Sequence, residues 1–282
     1  MRLLVIGLVA CHTGASCPVV PVPAAPEALL WRAERSGGQP IVLFGTFHGG
    51  GEADVPTVAW RALDGAAHFA SELGDAEADP DVIRELARLP PGKGLDQQLA
   101  PGDWYDLRDA LAGDMKDADL ARARPWFALV RLGTHLTKGQ TVHPEMDEAL
   151  ATRAKQHHLA VDALETYREQ LTALDASISI ADLTNAIHAR AELACDAGAA
   201  RAEYLGGSLP AMQKRFGGDP GGTLLAVRNA RWLPKLEAYA QSGGAFVAIG
   251  VGHLVGDGSP NSGLLAALAR DGFTVTRISE SK

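Results

Sequence analysis

The sequence contains a short apolar run, Ile41-Val42-Leu43-Phe44, which ends at Gly45 and leads into Thr46-Phe47-His48. A run of this length that includes β-branched residues and stops at a glycine predicts a buried β-strand. Four similar runs follow along the chain, over residues 67–71, 159–164, 245–249 and 273–278. Segments with helical apolar spacing lie beside them, and strands that alternate with helices are typical of a largely parallel sheet. We therefore predict an α/β fold with a mostly parallel central sheet flanked by helices.

A large helical insert is predicted between the N- and C-terminal βα halves, over about residues 80–240. Asp79-Pro80 is a helix start signal, and apolar stripes at helical spacing follow it. The alanine-rich stretch from Ile180 to Tyr204 predicts one long amphipathic helix. We treat residues 29–280 as a single domain that contains this insert.

Composition limits the classes of partner. The 282 residues are 46% hydrophobic and 21% charged, which is enough apolar material for a core. The net charge is −8, from 26 Lys and Arg against 34 Asp and Glu, and the basic residues are scattered, so we predict no nucleic-acid partner. Beyond the N-terminus no run approaches the ~20 apolar residues of a membrane span.

The first ten residues have the layout of a secretory signal, with Arg2 before an apolar run that ends at Ala10. The following Cys11 completes Leu8-Val9-Ala10-Cys11, which resembles the bacterial lipobox whose cysteine is acylated. We expect a lipoprotein signal at 1–10, lipidation at Cys11 and a Pro-rich tether at 11–28. The alternatives are a plain cleaved signal and a short buried strand.

These features predict an exported bacterial protein that is either periplasmic or held at the membrane only by a lipid anchor. After cleavage Cys17 and Cys195 can form a disulfide or remain free. The sequence leaves that choice and the oligomeric state open.

Two segments of the chain are similar to each other: Val42-Leu43-Phe44-Gly45-Thr46-Phe47-His48 and Val247-Ala248-Ile249-Gly250-Val251-Gly252-His253. Each combines a predicted strand with Gly-x-x-His, and we expect the glycines to let the chain turn sharply. In open α/β sheets reactive groups collect beyond the C-terminal ends of the strands. Glu72 and Glu165 also follow predicted strands. We therefore predict that the two histidines and Glu72 meet at one edge of the sheet.

Two histidines and one carboxylate are a ligand set of catalytic divalent metals, and we expect Mn, Co or Zn at His48, Glu72 and His253. Such a metal activates water and polarises a carbonyl, which suits hydrolysis of an amide or ester. Glu72 or the reserve base Glu165 would assist, and Arg228 would bind a substrate carboxylate or an oxyanion. The alternatives are hydrogen-bonded histidines at strand ends and a salt bridge of Arg228 on a helix surface.

Seven segments follow one another along the chain: Leu43-Phe44-Gly45-Thr46-Phe47-His48, Ser71-Glu72-Leu73, Arg124-Pro125-Trp126, Met146-Asp147-Glu148-Ala149-Leu150, Leu164-Glu165-Thr166, Arg228-Asn229 and Gly250-Val251-Gly252-His253-Leu254-Val255-Gly256. In this order they are similar to the TraB/GumN family, which is related to the Tiki metalloproteases and more distantly to the erythromycin esterase and ChaN-like group. The likeness extends from about Leu30 to Ile278.

The resemblance implies a metal-dependent site at His48, His253 and Glu72, and a peptidase activity by analogy with the Tiki branch. The chain departs from the family pattern Glu-Leu-Asp, because Gly74 stands in the place of the Asp, whose role would pass to Asp75 or Glu165. We predict a divalent-metal-dependent hydrolase of the cell envelope that acts on peptides or esters. The alternative is an envelope lipoprotein that binds haem or a peptide without turnover.

Overall fold

A computed structural model of the chain describes residues 17, 21, 27–76, 78–140, 142–219, 224–259 and 262–279. At its centre is a six-stranded sheet with strands β1 (Leu30–Glu34), β2 (Ile41–Thr46), β3 (Phe69–Ser71), β4 (Val161–Ala163), β5 (Ala245–Gly250) and β6 (Thr274–Arg277). The helices in these ranges are α1 (Thr57–Asp64), α2 (Pro80–Leu86), α3 (Pro101–Ala110), α4 (Asp117–Leu120), α5 (Pro125–Leu136), α6 (Met146–Gln156), α7 (Tyr167–Ser177), α8 (Ile180–His188), α9 (Arg190–Gly206), α10 (Leu209–Phe216), α11 (Ala226–Gln241), α12 (Val251–Val255) and α13 (Leu264–Arg270). A short 3₁₀ helix covers Glu52–Asp54.

The strand order is β4-β3-β5-β2-β1-β6. The four strands from β4 to β2 are parallel, whereas β1 is antiparallel to both of its neighbours. The predicted α/β class with a mostly parallel sheet is confirmed. The sequence did not predict β1, because the exposed Arg32 and Glu34 interrupt its apolar residues.

Strands β2 and β5 lie in the middle of the sheet, where their side chains are almost all buried. Strands covered on both faces are expected to be apolar throughout, as these two are. The expectation that glycines permit sharp turns is wrong at these positions. Gly45 lies inside β2, and Gly250 ends β5 with an ordinary φ of −49°. A Cβ added to Gly45 would lie 3.0 Å from Val251 Cγ2, so glycine allows α12 to pack closely on β2.

The helical insert has a hydrophobic core of its own. Leucines of α3, α4, α5 and α8 form a buried cluster separate from the core around the sheet. The single helix predicted from Ile180 to Tyr204 is instead two helices that meet at Ala189, whose φ of −91° and ψ of 12° depart from helical geometry. The two parts serve different cores, since Leu183 packs in the insert and Tyr204 packs in the sheet core. Strand β4 also interrupts the insert and joins the edge of the main sheet.

A disulfide joins Cys17 to Cys195 in α9, with the two Cα atoms 5.1 Å apart. The sequence left this pairing open. The predicted signal peptide, the lipidation site Cys11 and most of the Pro-rich tether lie outside the described residues. In the part of the chain that is described, no helix has the length and apolar character needed to cross a membrane.

Loss of the disulfide is expected to destabilise the fold. The bond spans 178 residues of sequence, and a cross-link over a long segment restricts the unfolded chain strongly. Replacement of both Cys17 and Cys195 with serine should lower the free energy of unfolding by about 2–5 kcal/mol. Urea denaturation measures the change, and wild-type protein in reducing agent should show the same loss. Equal stability of oxidised wild type, reduced wild type and the double variant would contradict the expectation.

Candidate active site

The ends of four parallel strands bring the predicted residues to one edge of the sheet. Glu165, Glu72, His253 and His48 follow β4, β3, β5 and β2, which is also the spatial order of these strands. A cavity of about 790 Å³ opens at this edge. Its lining includes His48, Glu72, Arg228 and His253, whereas Glu165 is buried and bonded to Arg228.

Arg228 on α11 lies at the centre of the polar cluster and is only 4% exposed. Its Nε donates to both oxygens of Glu165 at 3.0 Å, and its Nη2 donates to Glu72 Oε2 and Glu165 Oε1 at 2.5 Å each. Its Nη1 donates to His253 Nε2 at 2.8 Å and to the carbonyl oxygen of Leu224 at 3.4 Å. A guanidinium has five N–H donors, and these contacts use all of them. In this arrangement Arg228 has no donor left for a substrate carboxylate or an oxyanion, and it is not on a helix surface.

His253 is held as a neutral imidazole. Its Nδ1 lies 2.7 Å from Asn229 Oδ1, an acceptor, and its Nε2 accepts from Arg228. These partners require the proton on Nδ1. Burial lowers the pKa of His253 to about 4, although the charge of Glu72 opposes the shift. Asn229 also donates to the carbonyl oxygen of His253 at 3.1 Å, so one amide holds both the ring and the backbone.

The two carboxyl groups of the cluster have opposite pKa shifts. Burial disfavours ionisation of Glu72, but His253, which is charged only once it is protonated at low pH, and the Arg228 guanidinium outweigh it and lower the pKa of Glu72 to about 2. The Gly250 N–H, which donates to Glu72 Oε1 at 2.9 Å, acts in the same direction. Burial raises the pKa of Glu165 despite its contacts with Arg228. Of the two carboxyl groups bonded to Arg228, Glu72 is therefore the ionised one that lines the cavity, whereas Glu165 is buried and does not line it.

His48 differs from His253 because its side chain is 79% exposed. Its Nδ1 lies 3.4 Å from Asp147 Oδ2, and among the described residues nothing contacts its Nε2 by a hydrogen bond. The Asp147 carboxylate raises the pKa of His48 to about 9, and the charges of Glu72 and Glu145 add to the effect. The exposed nitrogen and the neighbouring carboxylate make His48 the group of the cavity best suited to exchange protons with a substrate or water.

Sequence reasoning missed three contributors to this site. Asp147 lies in a segment that carries the family resemblance, but no role was assigned to it. Asn229 follows Arg228 directly, and Gln170 of α7 donates to Glu72 Oε2 at 3.2 Å. Adjacency to a candidate residue was a signal for Asn229. No pattern in the sequence connects Gln170 to Glu72.

The departure at Gly74 has a structural reason. Gly74 has a φ of +60°, which most side chains disfavour, and a Cβ there would lie 3.0 Å from the backbone of β4. Asp75, a candidate for the missing role, instead lies 3.6 Å from Lys155 in an ion pair and is not part of the cavity lining.

A sequence profile described as the TraB/PrgY/gumN family matches residues 29–277. The chain belongs to the TraB/PrgY/gumN family. No curated protein and no solved structure matches the chain significantly. The family match covers every strand and helix described above, and in this TraB/PrgY/gumN member both Gly-x-x-His segments border one cavity.

The donors predicted to hold a metal do not fit one in this arrangement. One nitrogen of His253 faces Asn229 and the other accepts from Arg228, and both oxygens of Glu72 accept hydrogen bonds. The Arg228 guanidinium contacts both groups, and its charge would repel a dication. No three His, Cys, Asp or Glu side chains in the described ranges form a group that could hold a metal.

Metal content is therefore a direct test of the ligand set predicted from the sequence. Because Arg228 is hydrogen-bonded to His253 and Glu72, these side chains are not available as metal ligands. We therefore expect less than one Mn, Co or Zn ion per chain after loading and dialysis, as measured by inductively coupled plasma mass spectrometry. One retained metal per chain that is lost in both His48→Gln and His253→Gln would instead support the predicted metal site.

Proposed function

We propose that this TraB/PrgY/gumN protein is a hydrolase that cleaves peptide or ester bonds in the cavity, with His48 as general base. The observation that carries the proposal is an exposed imidazole beside the Asp147 carboxylate, in a cavity that also contains a buried, fully bonded charge cluster. Histidine is the commonest general base, and it acts when its imidazole is within reach of the substrate and is oriented by a second group. The volume of about 790 Å³ accommodates several residues of a peptide or an ester of similar size.

In this proposal His48 takes a proton from water as the water oxygen bonds to the scissile carbonyl carbon. When the tetrahedral intermediate collapses, the C–N or C–O bond breaks and the His48 imidazolium gives the proton to the leaving amine or alcohol. Asp147 faces Nδ1 of the ring, which leaves Nε2 for the proton transfer. Glu72 stays ionised, and Gly250, Gln170 and Arg228 hold its carboxylate in place. Arg228, Asn229 and His253 are positioning residues that keep the floor of the cavity in one arrangement. No step requires the predicted metal.

An envelope location remains part of the proposal. The Cys17–Cys195 disulfide supports it, because disulfides persist in exported proteins and are rare in the reducing cytosol. A peptide or ester in the envelope is then the class of substrate.

The pH dependence of hydrolysis tests the role of His48. The neutral imidazole is the base, and Asp147 raises the pKa of His48 to about 9, so kcat/KM should rise with pH and level off above that value. In Asp147→Asn the imidazolium loses its nearest anion, although Glu72 and Glu145 remain, and the midpoint should move down towards 6.5. The measurement uses quenched-fluorescent peptides and p-nitrophenyl esters. An unchanged midpoint in the variant would contradict the assignment.

The ligand-binding alternative predicts a different result in the same assay. A protein that only binds a peptide would raise the fluorescence anisotropy of a labelled peptide. It would release no product from the quenched-fluorescent peptides or the p-nitrophenyl esters. A Soret band on titration with haem that is lost in His48→Gln would favour haem as the ligand.

A further inference from the structure

We infer that the cavity selects peptides that carry a lysine or arginine side chain next to apolar residues. This inference rests on the proposed function, because it names the class of substrate for the same site. It follows from a surplus of negative charge at the rim of the cavity, by which we mean Glu145 and Glu148, from the apolar walls of the cavity, and from polar atoms of its lining that lack hydrogen-bond partners.

The charges of the cavity do not cancel. Arg228 is paired with Glu72 at the floor, and His48 is paired with Asp147. Two further carboxylates of the lining, those of Glu145 and Glu148, have no ion pair within the described residues. A ligand with a positive charge would neutralise them, whereas a ligand carboxylate would be repelled.

Both rim carboxylates belong to the start of α6. Glu145 is the N-cap residue and Glu148 lies in the first turn. The positive end of the helix dipole favours negative side chains at this place. Glu145 is half-buried and Glu148 is exposed, which leaves them accessible to a side chain that enters the cavity.

Polar atoms without partners support a ligand at this place independently of the charges. Thr46 lines the cavity, is only 1% exposed, and has a hydroxyl with no hydrogen-bond partner among the described residues. Asp147 Oδ2 is also buried; it forms the ion pair with His48 Nδ1 at 3.4 Å but accepts no hydrogen bond from any residue that the structure describes. Buried polar groups are almost always bonded, and an acceptor without a donor suits a ligand that brings N–H groups. Ammonium and guanidinium groups are such donors.

The remaining walls of the cavity are apolar. They consist mainly of Phe47, Val130, Leu174, Phe216, Leu224 and Val251. Val130 is 43% exposed although it is a large hydrophobic residue. An apolar surface beside two carboxylates matches a basic side chain with apolar neighbours better than it matches a purely polar cation.

The test uses three quenched-fluorescent peptides that are identical except at one position, which holds lysine, norleucine or glutamate within an apolar sequence. For the wild type we expect kcat/KM to be about tenfold higher for the lysine peptide than for the norleucine peptide, and lowest for the glutamate peptide. In the double variant Glu145→Gln/Glu148→Gln this ratio should fall to about one, because the attraction is lost. The matched control, Glu192→Gln/Glu237→Gln, removes the same charge outside the cavity lining and should keep the ratio of the wild type.

Binding of the same peptides, measured by fluorescence anisotropy, separates the inference from the proposed function. Hydrolysis of all three peptides at equal rates would overturn the inference about lysine and arginine but would agree with the proposed hydrolase function. A preference for lysine in binding that Glu145→Gln/Glu148→Gln removes, without any hydrolysis, would support the inference and contradict the hydrolase. Equal binding of the three peptides without hydrolysis would overturn both.

Discussion

Replacement of Arg228 with methionine is expected to lower the free energy of unfolding by about 3–5 kcal/mol. The guanidinium is 4% exposed, and it contacts Glu72, Glu165 and His253 by hydrogen bonds. Without it, two carboxyl groups and an imidazole nitrogen, all at largely buried positions, lose a partner. Removal of one member of a buried ion pair is costly because the other charge stays buried.

The loss should depend on pH in a definite direction. In the variant, burial without a counter-charge raises the pKa of Glu165 further above its value in the unfolded chain. A group whose pKa is higher in the folded state contributes stability that is lost as pH rises through that pKa. The deficit of the Arg228→Met variant should therefore be larger at pH 7 than at pH 4.5, as urea denaturation at the two pH values measures.

Two further variants make this prediction specific. Arg84→Met removes an exposed arginine that pairs with Asp81, and exposed pairs contribute at most about 1 kcal/mol. Addition of Glu165→Gln to Arg228→Met removes a buried charge that has no partner, so the double variant should be more stable than the single one. Equal losses in Arg228→Met and Arg84→Met would show that the cluster does not stabilise the fold.

Replacement of His48 with glutamine is expected to lower kcat/KM by about 10²–10⁴-fold, the usual contribution of a general base. The side chain is 79% exposed and its nearest charged partner is Asp147 at 3.4 Å. The substitution therefore should change the free energy of unfolding by no more than about 0.5 kcal/mol. A large loss of activity with little loss of stability is the result that assigns His48 to the reaction.

His188 provides the matched control. It also pairs with a carboxylate, with its Nε2 2.7 Å from Asp103 Oδ1, and it is 61% exposed. It lies at the end of α8, whose residues do not line the cavity. His188→Gln should keep the activity of the wild type. A variant at His48 that is as active as the one at His188 would remove His48 from the mechanism.

The spacing of apolar residues along the sequence was sufficient to predict most of the fold. All five predicted strands are present. The apolar residues of β2, β3 and β5 are buried, and burial is what the pattern reports. Strands β4 and β6 lie at the two edges of the sheet and are only partly buried. The strand β1 was missed because its charged residues face solvent. The break at Ala189 was missed because no glycine or proline marks it, and only the presence of two separate cores requires it.

The sequence was sufficient to predict which residues border the candidate site, but not which hydrogen bonds they form. Parallel strands end at the same edge, so the positions of His48, Glu72 and His253 after their strands were sufficient to predict that they border one cavity. Their equivalence was not real, since one histidine is exposed and the other is 4% exposed. The two Gly-x-x-His segments are alike in sequence, but the surroundings of their histidines in the folded chain differ.

The sequence was sufficient to predict most of the elements and the edge of the sheet at which polar groups gather, because these depend on the spacing of apolar residues and on strand direction. The state of each polar group depended on partners far away in sequence. Arg228 lies 63 residues from Glu165 and 156 residues from Glu72. Hydrogen bonding and charge act over a few ångströms in space. Only the folded chain could therefore show that Arg228 is hydrogen-bonded to two of the groups predicted to bind a metal, and that His48 is exposed beside Asp147.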